Sequence, residues 1–94
     1  MPVIRPLLDL STAHLPEHLG TGGLATTPGV IAHPTDCGWL MWVPDDPDES
    51  ATAMSDTVPA VVLAIQRYAR IHGCDYVLFD ADAARIDDLP AWDW

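Results

Sequence analysis

Residues 58–80, VPAVVLAIQRYARIHGCDYVLFD, decide the fold, because they hold a complete helix and the strand that follows it. Val58, Val61, Val62, Ile65, Ala69 and His72 recur at intervals of three and four, which draws one apolar stripe along a helix spanning 58–72. Asp56 or Thr57 is suited to accept bonds from the first free amides, Pro59 fits the first turn, and Gly73 can take the left-handed conformation that closes a helix. Arg67 and Arg70 fall in the last two turns, where positive charge complements the carbonyl end. His72, at the end of the stripe, is expected to be partly buried. Tyr76-Val77-Leu78-Phe79 then forms a continuous apolar run between Asp75 and Asp80, which predicts a strand inside a sheet rather than at its margin.

Working outward, Trp39-Leu40-Met41-Trp42-Val43 places Trp39, Met41 and Val43 on one face of a strand and Leu40 and Trp42 on the other, so both faces are expected to be covered. Val30-Ile31-Ala32, followed by Pro34-Thr35-Asp36-Cys37-Gly38, reads as the first arm and turn of a hairpin leading into it. Leu7-Leu8-Asp9-Leu10 is a further strand. Ser11 and Thr12 are placed to cap a short helix over 15–19, ended by Gly20, Gly22 and Gly23. Residues 45–50, rich in Asp and Pro, read as an exposed acidic loop. The order strand, short helix, two strands, long helix, strand predicts an α+β fold: a two-layer sandwich of about four strands with split βαβ-like connections. At 94 residues the chain is one domain, 1–94.

The charge balance bears most directly on function. Fourteen Asp and Glu face four arginines and no lysine, a formal net charge of −10. A field of that sign disfavours direct contact with nucleic acid or an anionic membrane surface and favours basic protein surfaces. No apolar run approaches the ~20 residues that cross a bilayer, and the first residues lack the build of a signal peptide, so a cytoplasmic location is expected. Nearly half the residues are hydrophobic and four are tryptophan, unlike a disordered acidic tail. Cys37 and Cys74 match no zinc or redox spacing and read as small, partly buried thiols.

The combination of strings Leu8-Asp9-Leu10-Ser11-Thr12-Ala13-His14-Leu15-Pro16, Gly38-Trp39, Ala69-Arg70, Gly73-Cys74-Asp75-Tyr76, Phe79-Asp80-Ala81-Asp82 and Leu89-Pro90-Ala91-Trp92-Asp93-Trp94 resembles a bacterial family known only as domain of unknown function 5983. Its members are short proteins often carried on plasmids and other mobile elements. The resemblance spans nearly the whole chain and implies no agreed activity, cofactor or catalytic residue. Its mobile-element setting associates the chain with anti-defence proteins.

Several constellations bear chemistry. Asp9, Asp80 and Asp82 follow strand ends, where carboxylates can gather around Mg²⁺ or Ca²⁺, with His14 as an acid or base; against this, such aspartates commonly bond loop amides. His14 and His18 stand four apart, but Pro16 intervenes, so one is expected to bond backbone and the other to be exposed. His33 adjoins a turn and has no partner in sequence. Ser11, Thr12, His14 and Asp9 are close in sequence, yet triads are defined by geometry, and neither a nucleophile elbow nor a phosphate-binding fingerprint is present; Gly20-Thr21-Gly22-Gly23 lacks the preceding strand and the lysine. Trp92 and Trp94 either pack on the sheet or anchor a partner.

The expected function is therefore that of a non-enzymatic acidic binding protein, without cofactor, that engages a basic protein surface through Asp45, Asp46, Asp48, Glu49, Asp80, Asp82, Asp87, Asp88, Trp92 and Trp94. Such a protein acts as a nucleic-acid mimic and inhibits a defence nuclease or CRISPR-type effector. The alternative is a metal-dependent enzyme or ligand domain built on Asp9, Asp80 and Asp82. A homodimer through Trp94 or a hairpin edge is a third arrangement, and strong negative charge serving solubility alone is the competing explanation for the acidity.

Overall fold

The computed structural model describes residues 6–27, 29–36, 38–53 and 58–92. Four strands form one sheet: β1 (Leu7–Ser11), β2 (Ala32–Pro34), β3 (Gly38–Trp42) and β4 (Tyr76–Asp80), in the spatial order β1-β4-β3-β2. β4 is an inner strand, as its unbroken apolar run indicates. It pairs in parallel with β1 and antiparallel with β3, which pairs antiparallel with β2. The helices and one sheet face enclose a single apolar cluster, giving the two-layer α+β architecture. β1 and β2, joined through α1, run in the same direction with β4 and β3 between them, a split βαβ-like connection, while β1 also has the parallel β4 as its immediate neighbour. The core side of the sheet carries Leu10, Met41, Val77 and Phe79, all fully buried.

A 3₁₀ turn over Thr12–His14 follows β1, with the Ser11 hydroxyl accepting a bond from the Ala13 amide at 3.1 Å. The short helix expected at 15–19 starts later, at Glu17, and a turn over Leu19–Gly23, kinked at Gly22, joins it to α1, a single turn over Leu24–Thr26. Burial explains the displacement. Leu15, Leu19 and Leu24 all enter the core, and the kink at Gly22, which glycine's freedom at φ +140° permits, turns the chain between Leu19 and Leu24. The glycines expected to end the helix are instead part of its path. The Trp39 indole ties this segment to the sheet by donating to the Gly20 carbonyl at 3.0 Å.

Residues 45–50 are not a loop. α2 spans Pro47–Ala53, and the Asp46 carboxylate accepts from the Glu49 amide at 3.1 Å as an N-terminal cap. Proline in the first turn and acids at the positive end of the helix are the ordinary chemistry of a helix start, which here presents itself as an acidic, loop-like composition. Pro47 and Ala51 are buried and hold α2 down.

The long helix, α3, spans Ala60–Ile71 and buries Val62, Ile65, Gln66 and Ala69; Val58 is buried just before it. The capping residues expected at Asp56 and Thr57 lie outside the described residues. At the other end Gly73 is left-handed at φ +73°, its amide donates to Arg70 at 3.0 Å, and the Cys74 amide donates to Ala69 at 2.8 Å. This is a Schellman closure. His72 is exposed, not partly buried, because the closing turn lifts it off the stripe; its ring lies against Tyr68 with centroids 4.5 Å apart. Cys74 is a buried free thiol, and Cys37 lies outside the described residues.

The first hairpin arm is displaced as well: β2 begins at Ala32, and Ile31 is 53% exposed. The expectation that both faces of β3 are covered is not met, since Trp42 remains 39% exposed. All the described sheet residues in the core cluster and its margin share one face, so the other face has no helical layer over it among the described residues.

Candidate functional site

The predicted partner-binding acids fall into separate groups. Asp45, Asp46, Asp48 and Glu49 cluster at the start of α2, beyond the Trp42 end of the sheet. Asp80 and Asp82 lie at the opposite end, where Gly38 pairs with Asp80. Asp87 and Asp88 are exposed on the final segment, which folds back so that the Tyr68 hydroxyl donates to Asp88 at 3.4 Å. Partial burial, followed by the nearby Asp88 charge, raises the Tyr68 phenol above its ordinary pKa. Trp92 is half-buried, with its amide bonded to the Ala13 carbonyl at 2.8 Å; Trp94 lies outside the described residues.

The α2 acids are not equivalent. Asp48 accepts from Arg67 Nε at 2.8 Å and from the same guanidinium's Nη2, a contact that raises the Arg67 pKa chiefly through the hydrogen bond. Asp46 is occupied as a cap. Asp45 projects into solvent, 4.0 Å from Arg70, and Glu49 is exposed. Trp42, Pro44, Asp45, Asp46 and Glu49 line one open groove, so an indole and three carboxylates share a surface.

Arg70 was read from sequence only as a helix-end charge, yet it is the clamp at this end of the molecule. Its guanidinium donates to the Val43 carbonyl (2.8 Å), the Pro44 carbonyl (3.2 Å) and the Asp75 carboxylate (2.8 Å), joining the end of β3, the start of β4 and the last turn of α3. Arg70→Met keeps the aliphatic stem and removes these bonds; unfolding by urea is expected to show a loss of about 2 kcal/mol, since two backbone acceptors and a carboxylate lose their donor. A change below a few tenths would show the clamp to be unimportant.

The alternative metal trio is not gathered into a site. Asp9 is exposed on the uncovered sheet face, and Asp80 Oδ1 accepts from the Asp82 amide at 2.9 Å, the loop-bonding role common to aspartates after strands. Among the described residues, no three His, Cys, Asp or Glu side chains converge as a metal-binding group. His14 is fully buried. Its Nδ1 is 2.7 Å from the Pro90 carbonyl and its Nε2 accepts from the Ile86 amide at 3.0 Å. These partners fix the Nδ1–H tautomer and occupy both nitrogens, so His14 is a staple for the last segment and is not disposed as an acid or base. His18 and His33 are exposed. With Ser11 capping the 3₁₀ turn and His14 engaged elsewhere, the serine, histidine and Asp9 do not form a relay.

Strand register defines a further surface that sequence reading did not find. Leu7 pairs with Tyr76, and Tyr76 with Trp42; the Trp42 amide donates to the Ile31 carbonyl at 2.9 Å. Alternation therefore puts these four side chains in one row on the uncovered face. Leu7 is 46%, Trp42 39% and Ile31 53% exposed. The next row reads Asp9, Leu78, Leu40, His33, and the last holds Ser11, Asp80 and Gly38. The face thus grades from apolar beside α2 to polar at the far end. The available signal was that β3 and β4 both carry apolar residues on two faces in a chain with helices enough for one layer.

No described helix is long and apolar enough to cross a membrane. Neither curated proteins nor solved structures contain a match to this sequence. The profile described as "Family of unknown function (DUF5983) C-terminal domain" matches residues 7–94, from the first residue of β1 to the end of the chain. That match takes in every strand and helix described above, and the chain accordingly belongs to the DUF5983 family.

Proposed function

We propose that this chain is a non-enzymatic binding module whose carboxylates engage a basic surface on another protein. That surface is of the kind that otherwise holds nucleic-acid phosphates, so the chain inhibits a nucleic-acid-cleaving enzyme by mimicking its substrate's charge. The observation that carries this reading is the imbalance of fourteen acids over four arginines, two of which, Arg67 and Arg70, are already engaged with Asp48 and Asp75. Asp45 and Glu49 at the start of α2, Asp82 at the opposite end and Asp87 on the final segment are exposed to a partner. Complementary charge accelerates encounter and weakens with salt.

The test is anisotropy of the labelled protein against polylysine and against a set of purified basic nucleases, with duplex DNA as competitor. Affinity is expected to fall as salt rises and to be lost to DNA. Neutralising Asp45, Glu49, Asp82 or Asp87 to the amide should weaken binding by about twofold to fivefold each, the scale of one exposed charge pair. Asp48→Asn should change it least, because Arg67 already screens that carboxylate. Absence of salt-sensitive binding to every probe would refute the proposal.

A further inference from the structure

The row Leu7, Tyr76, Trp42, Ile31 crosses β1, β4 and β3 to the residue just before β2, at the end of the sheet nearest α2, and its neighbours beside Trp42 are carboxylates. We infer that this row is the docking centre of the molecule, and that its occupant is a cationic amphipathic segment of another protein, with an apolar ridge on the row and Lys or Arg flanks on Asp45, Asp46 and Glu49. The inference rests on the reading of the chain as an acidic binding module and locates its contact surface.

Two arguments select this occupant. The first is area. Strands of at most five residues, rising 3.3 Å per residue and spaced 4.8 Å apart, make a sheet face of no more than roughly 300 Å². A stable interface takes about 800 Å² from each partner. Apolar contact on this face alone falls short, so an occupant must also draw on the margin. The second is charge. The margin beside Trp42 is acidic, and Asp9 lies in the adjoining row. A second copy seated by twofold symmetry would bring like charges together, and the described arginines nearest the row, Arg67 and Arg70, are committed to their own carboxylates. A partner with basic flanks gains on both counts. The indole of Trp42 adds a face on which a cation can rest, and tryptophan at the centre of a contact is the residue type that most often dominates its energy.

The probe is a synthetic Leu/Lys helix of about 14 residues, which at 1.5 Å per residue spans the row, compared with polylysine of equal charge. The wild-type chain is expected to bind the Leu/Lys helix at least tenfold more tightly than polylysine, with amide shifts concentrated at residues 40–42 and 76–78. Trp42→Ala should remove that advantage while leaving polylysine affinity within twofold. Ile31→Ser, at a position 53% exposed and outside the core cluster, should reduce it severalfold without touching the fold. If both probes bind and neither variant alters the ratio, the docking centre is elsewhere and this inference fails while the acidic-module reading stands. If neither probe binds at low salt, the acidic-module reading fails and takes the inference with it. Sedimentation equilibrium showing a dimer abolished by Trp42→Ala would assign the row to a second copy and overturn the proposed occupant.

Discussion

Replacing His14 by alanine is expected to cost about 3–5 kcal/mol of folding stability, the sum of a buried cavity and two orphaned backbone groups. The imidazole is fully buried and is the cross-link between the turn after β1 and the last described segment, through Pro90 and Ile86, more than 70 positions away in sequence. Without it, the part-buried Ile86 amide and Pro90 carbonyl lose their partner. For a chain this long the total stability is on the order of 5–14 kcal/mol, so the loss takes a large share of it. The melting temperature should fall by more than about 12 °C. Amide exchange at Ile86 should accelerate before that of Val77 or Phe79, because the segment detaches while the sheet still holds. His14→Gln offers one donor and one acceptor at similar reach and should recover part of the loss. A melting temperature unchanged by His14→Ala would show that the staple contributes nothing.

Gly38→Ala is expected to be nearly as damaging, by about 3 kcal/mol or more, although it adds a single methyl group. At φ +157° the position lies in a region side-chain-bearing residues rarely enter, and a Cβ here would collide with the backbone carbonyl oxygen of Phe79. The backbone strain is worth about 1–3 kcal/mol, and the β3–β4 ladder must part at its Gly38–Asp80 end to relieve the clash. Thr12 Cγ2, 3.3 Å from the same point, closes the other way out. Gly73→Ala is the informative comparison. Its φ of +73° is also costly for alanine, but nothing lies within 4 Å of the added carbon, so about 1 kcal/mol is expected. Equal losses at the two sites in urea titrations would mean that close approach at Gly38 does not matter.

Both positions show how far the sequence reading reached. Gly38 was legible as a turn residue before a strand, but its contact with Phe79 depends on the pairing of β3 with β4, which joins residues about forty apart. His14 was legible as a histidine near a cap, bonded to backbone. Which backbone was not, since Ile86 and Pro90 come to it only after the chain has crossed the molecule. The same limit hid the α2 helix, whose Asp46-Pro47-Asp48-Glu49 start has the composition of a loop, and the kink at Gly22, on either side of which Leu19 and Leu24 fill core positions. Arg70 was placed correctly at a helix end, while its three partners belong to β3 and β4.

Local periodicity and charge, both properties of the chain in one dimension, were sufficient for the long helix, the inner strand, the α+β class and the strongly anionic character. Four choices depended on contacts between distant segments: which acids are neutralised by arginine, where His14 is held, that the parallel strands lie side by side, and that one face of the sheet keeps an apolar row open beside the α2 carboxylates. The physical reason is that a side chain's identity fixes what it can bond, whereas its partners and its exposure are set only when burial of the common core brings remote residues together.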